Sequence, residues 1–548
     1  MSVDPVLLSV VNQSLAAIAE EMSRNLIRSA YSTIVRESRD AATALMTPAG
    51  AVVAQGAKTI PVLLNAFPPV MREFRARGLL DGARPGDVLV TNDAYAGGQH
   101  LDDIVLVIPV CHDDTLLGWA ASLAHHLDLG AGSPGINPRA REVFDEGLRI
   151  SPMRIGLDDF GPGGRLGALL AGNVRMPQQT LGDIRAQIAA VRTGERRLRE
   201  LAERHGTVVL HAAMDGLLDY AETMIRAAIR AAPDGTYTAE EWMDGDGPDS
   251  LPLRVLVTVE VSGDELSVDL TGTADQADGP VNAPVASTES AVYTALKYLL
   301  LPEDVPANEG ANRPVSVIVP EGSLLNPLFP AAVGARMSAV FKVVDAMFLA
   351  LAPILPDRVI APSFSAVAAV ALSSRHSGRQ LLYREALGGG YGAGAGYPGA
   401  SGVAVTLTNT ANTPVEFTES VHPYFLVEEY ALRRGSGGAG RFEGGMGVEK
   451  RYRVIDDDVL FAAYSDRHHA GATGLAGGAS GARAQFLLER DGSIRELPSK
   501  IIEPVRRGDR IRVLTGGGGG YGSRDTGPVH AVLRLATWPP ASAGARFL

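Results

Sequence analysis

Cysteine is nearly absent: Cys111 is the only one in 548 residues. The chain can therefore form no internal disulfide and no Cys-x-x-Cys zinc or iron–sulfur site. Such usage fits a reducing, cytoplasmic compartment. Positive charge is also short, since 50 Lys and Arg against 62 Asp and Glu leave a formal charge of −12. A general nucleic-acid binder needs a basic face, so that partner class is disfavoured. No uninterrupted apolar run reaches the roughly 18 residues of a membrane span, and no membrane partner is expected. Residues 1–25 lack a basic segment leading into an apolar one, and read as a structural helix and not as a secretion signal. Glycine, in contrast, is plentiful: 62 of 548, about 11% against a usual ~7%. Many tight turns and close backbone approaches should follow. With 46% apolar and 20% charged residues, the chain can bury a large core. Its length allows about three or four domain-sized units, or one large body.

Apolar residues at helical spacing (Leu8, Val11, Leu15, Ile18, Met22, Leu26) predict a helix within 5–35, with Asp4 and Pro5 at its start. Residues 37–55 carry two apolar runs around a Pro-Ala-Gly turn, a β-hairpin pattern with Asp40 at its entry. Residues 62–78 read as a helix ending at Gly78. In 86–110 a short strand is followed by the polar loop DAYAGGQHLDD and a continuously apolar strand, IVLVIPV, which suggests burial on both faces. The stretch 116–138 repeats that layout, its loop opening with His125. Residues 178–231 have a helical period. From 252 the pattern alternates in twos, as in an antiparallel hairpin. Residues 287–301 and 338–355 are helical, and 357–525 is β-rich and glycine-dense. The expected class is α+β, with N-terminal and central helices around a metal-bearing sheet region. A pattern shift near 240 divides the chain into a metal-bearing helix/strand region (1–240), a mixed then β-rich region (241–525) and a tail (526–548).

His100 and Asp103 lie three residues apart in one loop, and His125 opens a second loop after a neighbouring strand. Adjacent strands of similar length would set these loops side by side. Two imidazoles and a carboxylate then converge, a donor set suited to a divalent transition metal such as Mn, Zn or Fe. With open positions such a site acidifies water or polarises a carbonyl. Asp40 is a candidate second carboxylate from a third strand. Asp93, Asp102 and Asp128 are candidates for ligation, for orienting an imidazole, or for taking a proton. A His-x-x-Asp pair is, however, more often a turn hydrogen bond than a ligand pair. His126 should point away from His125, and only the His468–His469 pair stands out among the other histidines. The runs GGGYGAGAG (388–396) and TGGGGGYG (515–522) are followed by no Lys-Ser or Lys-Thr, so neither is a P-loop. No GxGxxG opens a helix in a βαβ unit. Turns and close packing are the expected use of these glycines. Cys111 has no paired base and reads as a small apolar residue.

Motifs spread in order along the chain resemble those of the hydantoinase B/oxoprolinase family. They include RESRDAATAL (36–45), TNDAYAGGQHLDDIVLVIPV (91–110), AHHLDLGAGSPG (124–135) and EGLRISP (146–152). Further along come GNVRMPQQTLGDIRAQIAA (172–190), DLTGTADQADGPVNAP (269–284), NTPVEF (412–417), GSGGAGRFEGGMGVEKRYRV (435–454) and TGGGGGYG. The resemblance covers about residues 5–525. It implies a metal site at Asp40, His100, Asp103 and His125. It also implies a hydantoinase A-type ATPase partner that binds ATP and Mg, in a hetero-oligomer with two copies of each subunit. Three departures from the family pattern stand near this site: SRDAAT around Asp40, Asp102 where proline is usual, and AGSPG after Asp128.

The function this implies is the B subunit of an ATP-dependent cyclic amidohydrolase opening a hydantoin, 5-oxoproline or lactam ring. Phosphorylation in the partner would activate the amide, a metal-held water would attack, and Asp93 or Asp128 would take the proton. Two alternatives share the sequence signal: the large subunit of an acetone- or acetophenone-type carboxylase, and a non-catalytic scaffold for the ATPase.

Overall fold

The computed structural model describes residues 4–56, 61–63, 65–161, 163–247, 250–302, 305–376, 379–408 and 410–524. The tail expected over 526–548 lies outside the described residues. The first helix, Pro5–Ser29, starts where the Asp4 carboxylate accepts the Val6 N–H at 2.7 Å. It stops short of the expected 35 because the Tyr31 and Ser32 N–H groups turn to Asp183 Oδ1, at 2.6 and 3.0 Å. A one-turn helix, Thr33–Arg36, then leads into the first sheet.

That sheet has six antiparallel strands: β1 (Ala41–Met46), β2 (Val52–Gln55), β3 (Asp87–Thr91), β4 (Asp103–His112), β5 (Thr115–His125) and β6 (Met153–Gly156). Their order is β2-β1-β5-β4-β3-β6. The hairpin read from 37–55 is β1–β2, and IVLVIPV is β4, buried at its first eight positions as its unbroken apolar run required. The helices Pro5–Ser29 and Pro177–His205 pack on this sheet and on each other. Their close approach uses Gly194, where a Cβ would stand 2.6 Å from Met22 Sδ.

A four-stranded sheet follows, formed by β7 (Gly235–Met243), β8 (Leu253–Ser262), β9 (Glu265–Asp269) and β10 (Val315–Ile318), in the order β10-β9-β8-β7. Residue 240 thus lies inside β7, which pairs along its length with β8. The helix Met337–Leu351 packs on β7 and β8. The remaining strands are β11 (Ala368–His376), β12 (Arg379–Leu387), β13 (Phe425–Leu432), β14 (Val448–Val454), β15 (Val459–Tyr464), β16 (Gln485–Arg490), β17 (Ser493–Leu497), β18 (Lys500–Val505) and β19 (Arg510–Leu514). They form one sheet ordered β12-β11-β15-β18 and another ordered β13-β14-β19-β16-β17. The α+β class holds.

The glycine runs serve packing. Gly390, Gly438 and Gly519 donate N–H bonds to the carbonyls of Gly516, Gly518 and Pro362, at 3.0, 2.8 and 2.9 Å. Three glycine segments are therefore laid backbone on backbone. A Cβ on Gly518 would fall inside contact distance of the Tyr391 carbonyl, which cannot move without breaking the layer. Gly172, in the helix Arg165–Asn173, has open space at its Cβ position. We expect Gly518→Ala to cost about 1–3 kcal/mol or more through overpacking. Gly172→Ala should be neutral or stabilising by up to ~1 kcal/mol. Thermal or urea unfolding of the two variants checks the contrast.

Candidate metal centre

Antiparallel register builds the site. In the row β1-β5-β4, Asp103 is the cross-strand partner of His125. The His125 N–H in turn donates to the Asp40 carbonyl at 3.1 Å. Residues 40, 125 and 103 are thus lined up at one end of the sheet, as cross-strand neighbours must be. The loop before β4 folds back so that the Asp103 N–H meets the His100 carbonyl at 3.1 Å, which brings the fourth side chain over the first three.

The side chains form a buried knot. The His100 and His125 rings stack with centroids 4.8 Å apart and 20° between planes. Asp103 Oδ2 lies 2.8 Å from His100 Nδ1, and its Oδ1 lies 3.3 Å from His125 Nδ1. Asp102 Oδ2 lies 3.9 Å from His125 Nε2, on the opposite edge of that ring. His100, Asp102 and His125 each bring one ligand atom to within 4.8 Å of the others. Asp40 lines the cavity that also holds His100, Asp103 and His125.

Two guanidiniums from distant sequence close the knot. Arg336 meets Asp103 Oδ2 at 2.9 Å and Arg384 meets Asp102 Oδ2 at 2.7 Å, both nearly sealed from solvent. Burial pushes Asp103 up, yet the charges of His100 and Arg336 and its hydrogen bond with His125 hold it well below the usual carboxylate range. Burial likewise opposes Asp102, and Arg384 with the histidines still pulls it down. For Asp40 burial wins over the attraction of His125, and its carboxyl is raised.

These donors fit a divalent ion. Around an ion with bonds of about 2.1 Å, adjacent ligand atoms lie about 3.0–3.4 Å apart. Of the separations above, 3.3 Å falls within that range and 2.8 Å just below it. His100 Nδ1 is buried and, despite its closeness to Asp103, makes no aligned hydrogen bond. Two imidazoles with carboxylates are a donor set typical of Mn, Fe or Zn.

Other residues singled out from the sequence lie apart from this knot. Asp93 accepts the Tyr95 N–H at 3.1 Å, lies 3.7 Å from Arg149 and does not line this cavity. Asp128 is held by Arg175 through both its side chain (2.7 Å) and its N–H (2.9 Å), with the Gly130 N–H at 3.3 Å. It faces an adjoining cleft, which shares Arg384 and Tyr464 with the metal cavity. His126 turns away from His125, its Nε2 3.1 Å from Gln187 Oε1. His468 packs on Phe486, and burial lowers it to about 3. Arg336, Arg384 and Tyr464 had no signal in local spacing: they stand more than 200 residues from the histidines, in segments that read as ordinary helix and strand.

The family model described as hydantoinase B/oxoprolinase matches residues 4–524. The putative B component of a D-/L-hydantoinase from Pseudomonas sp. (strain NS671) is 35% identical, across 95% of this chain and 90% of its own. Among solved structures, the ATP-dependent caprolactamase from Pseudomonas jessenii superposes with a TM-score of 0.86 at 28% identity, covering 95% of this chain and 92% of that one. A nucleotide-free acetone carboxylase structure superposes with a TM-score of 0.85 at 18% identity, over 95% of this chain and 76% of that one, a likeness of fold. With its motifs, its metal-type donor set and a family match along nearly its whole length, the chain belongs to the hydantoinase B/oxoprolinase family.

Proposed function

We propose that this chain is the ring-opening subunit of an ATP-dependent cyclic amidohydrolase, acting on a hydantoin, 5-oxoproline or lactam. A hydantoinase A-type ATPase is its partner, in an assembly with two copies of each. The observation that carries this reading is the buried knot of His100, Asp103, His125 and Asp40 in a chain whose relatives include a hydantoinase component and a caprolactamase. A divalent ion held there supplies Lewis acidity toward a carbonyl and an acidified water.

The chain's own groups do the rest. Arg336 and Arg384 keep Asp103 and Asp102 ionised, as ligands must be. Asp103, within reach of both imidazoles, is the carboxylate we place in the ligand set with His100, His125 and Asp40. Asp102, whose Oδ2 is taken by Arg384, shapes the wall toward the adjoining cleft. Of the two carboxylates expected to take the proton, Asp128 is held by three donors. Asp93 stands outside the metal cavity.

The ligand assignment has a direct test. The purified protein should carry about one Mn, Fe or Zn per chain by elemental analysis. His100→Ala, His125→Ala and Asp103→Ala should lose it, whereas Asp102→Asn should retain it. Retention in the Asp103 variant with loss in the Asp102 variant would exchange their roles.

The activity is tested with the reconstituted pair. Ring opening should require ATP, the partner and the metal, and Asp103→Ala should remove it while the two subunits still co-elute. Full activity in that variant would leave the chain a scaffold. ATP hydrolysis dependent on bicarbonate and stimulated by a ketone would select the carboxylase reading.

A further inference from the structure

The cleft beside the metal cavity holds a carboxyl that the fold does not use up. Glu146 ends the short turn Val143–Glu146 and is 7% exposed. Its Oε1 accepts the Val333 and Gly334 N–H groups, at 2.8 and 2.5 Å. This pins the segment that leads into Arg336. Its Oε2 is buried and has no partner. Leaving a buried carboxyl oxygen unpaired costs a few kcal/mol; Asp183 Oδ2 is left in the same state, but Asp183 lines neither cavity, whereas Glu146 lines the cleft. The pinning needs Oε1 only.

Glu146 lines the cleft with Asp102, Asn137 and Asp128, and that cleft meets the metal cavity at Arg384 and Tyr464. The other two acids there are engaged by guanidiniums, Asp102 by Arg384 and Asp128 by Arg175. Glu146 is the remaining carboxyl able to exchange a proton with a molecule in the cleft. Burial pushes it up to about 8, despite the Gly334 and Val333 N–H groups, so it is a neutral acid at pH 7.

We propose that Glu146 is the acid that delivers a proton to the departing ring nitrogen. The proposal rests on the hydrolase reading above. Its chemistry follows from what an O-phosphorylated amide does when water adds. The new C–O bond gives a tetrahedral carbon bearing hydroxyl, phosphate and ring nitrogen. Expelling phosphate restores the original amide and wastes the ATP. Expelling nitrogen opens the ring, but an unprotonated amide nitrogen is by far the poorer leaving group. Protonation by the Glu146 Oε2–H lets the C–N bond break, with its electron pair going to the new amine. Glu146 is left as a carboxylate and regains a proton as the hydroxyl on the carbon gives up its own to form the carbonyl. The acyl phosphate that remains is cleaved by a second water to the acid and phosphate. Glu146 thereby decides whether phosphate release is coupled to ring opening.

The test measures phosphate released and ring opened, in the same reaction, for the wild-type and Glu146→Gln pairs. Glutamine keeps the Oε1 acceptor that pins 333–334, and metal content reports an intact neighbouring site. We expect substrate-stimulated phosphate release to continue while opening of an unactivated lactam falls about 10²–10⁴-fold. Phosphate per ring opened should rise by the same order. A cyclic imide, whose departing nitrogen is far less basic, should lose much less. Equal ring opening in the variant, or phosphate release and ring opening falling together for both substrates, overturns the assignment and leaves the hydrolase reading standing. A wild-type pair that opens neither ring overturns both.

Discussion

The structure turns on one electrostatic constraint, which is that ionised carboxylates taken out of water must be matched charge for charge. Asp102 and Asp103 are adjacent in sequence, the first half-buried and the second buried, beside a third carboxyl at Asp40. Left unpaired they would neutralise or unfold the region. Arg336, Arg384 and the two imidazoles match them, and the balance is tight enough to depress both aspartates against their burial. A site that already holds ionised oxygens and imidazole nitrogens in contact binds a divalent ion with little rearrangement.

That constraint ties the two ends of the chain together. The donors come from the first sheet, but the compensating guanidiniums come from the segment before Met337–Leu351 and from β12. The cavity is closed by β11, β12 and Tyr464 of β15, strands of a different sheet. The glycine layers support the C-terminal half by bringing backbones of 388–392, 436–445 and 515–522 closer than any side chain would allow. The site is therefore a property of the whole fold, although every atom expected to touch the ion lies within residues 40–125.

Two compartments meet at Arg384 and Tyr464, one bearing the imidazoles with Asp40 and Asp103, the other Asp102, Asp128 and Glu146. Such a division suits a reaction with two separate needs: polarising or attacking a carbonyl carbon, and settling the proton balance on the nitrogen across the same bond. The glycine runs are spent on packing.

Much of this was legible in the linear chain. His100-x-x-Asp103, and His125 after an apolar strand of matching length, are local signals, because antiparallel pairing fixes which residues stand abreast. Asp40 is legible for the same reason, one strand further on. Helix positions, the buried character of β4 and the α+β class follow from periodicity, which burial itself imposes. Spacing could not tell Asp102 from Asp103 as the nearer partner of the imidazoles, since side-chain direction in a loop depends on what lies opposite. Nor could it find Arg336, Arg384 or the free oxygen of Glu146. Their roles exist only through contacts between segments a hundred or more residues apart, and no local period records those. The sequence determined which donors exist and in what order. Tertiary packing decided which charges balance them and left the cleft's Glu146 with an unpaired oxygen.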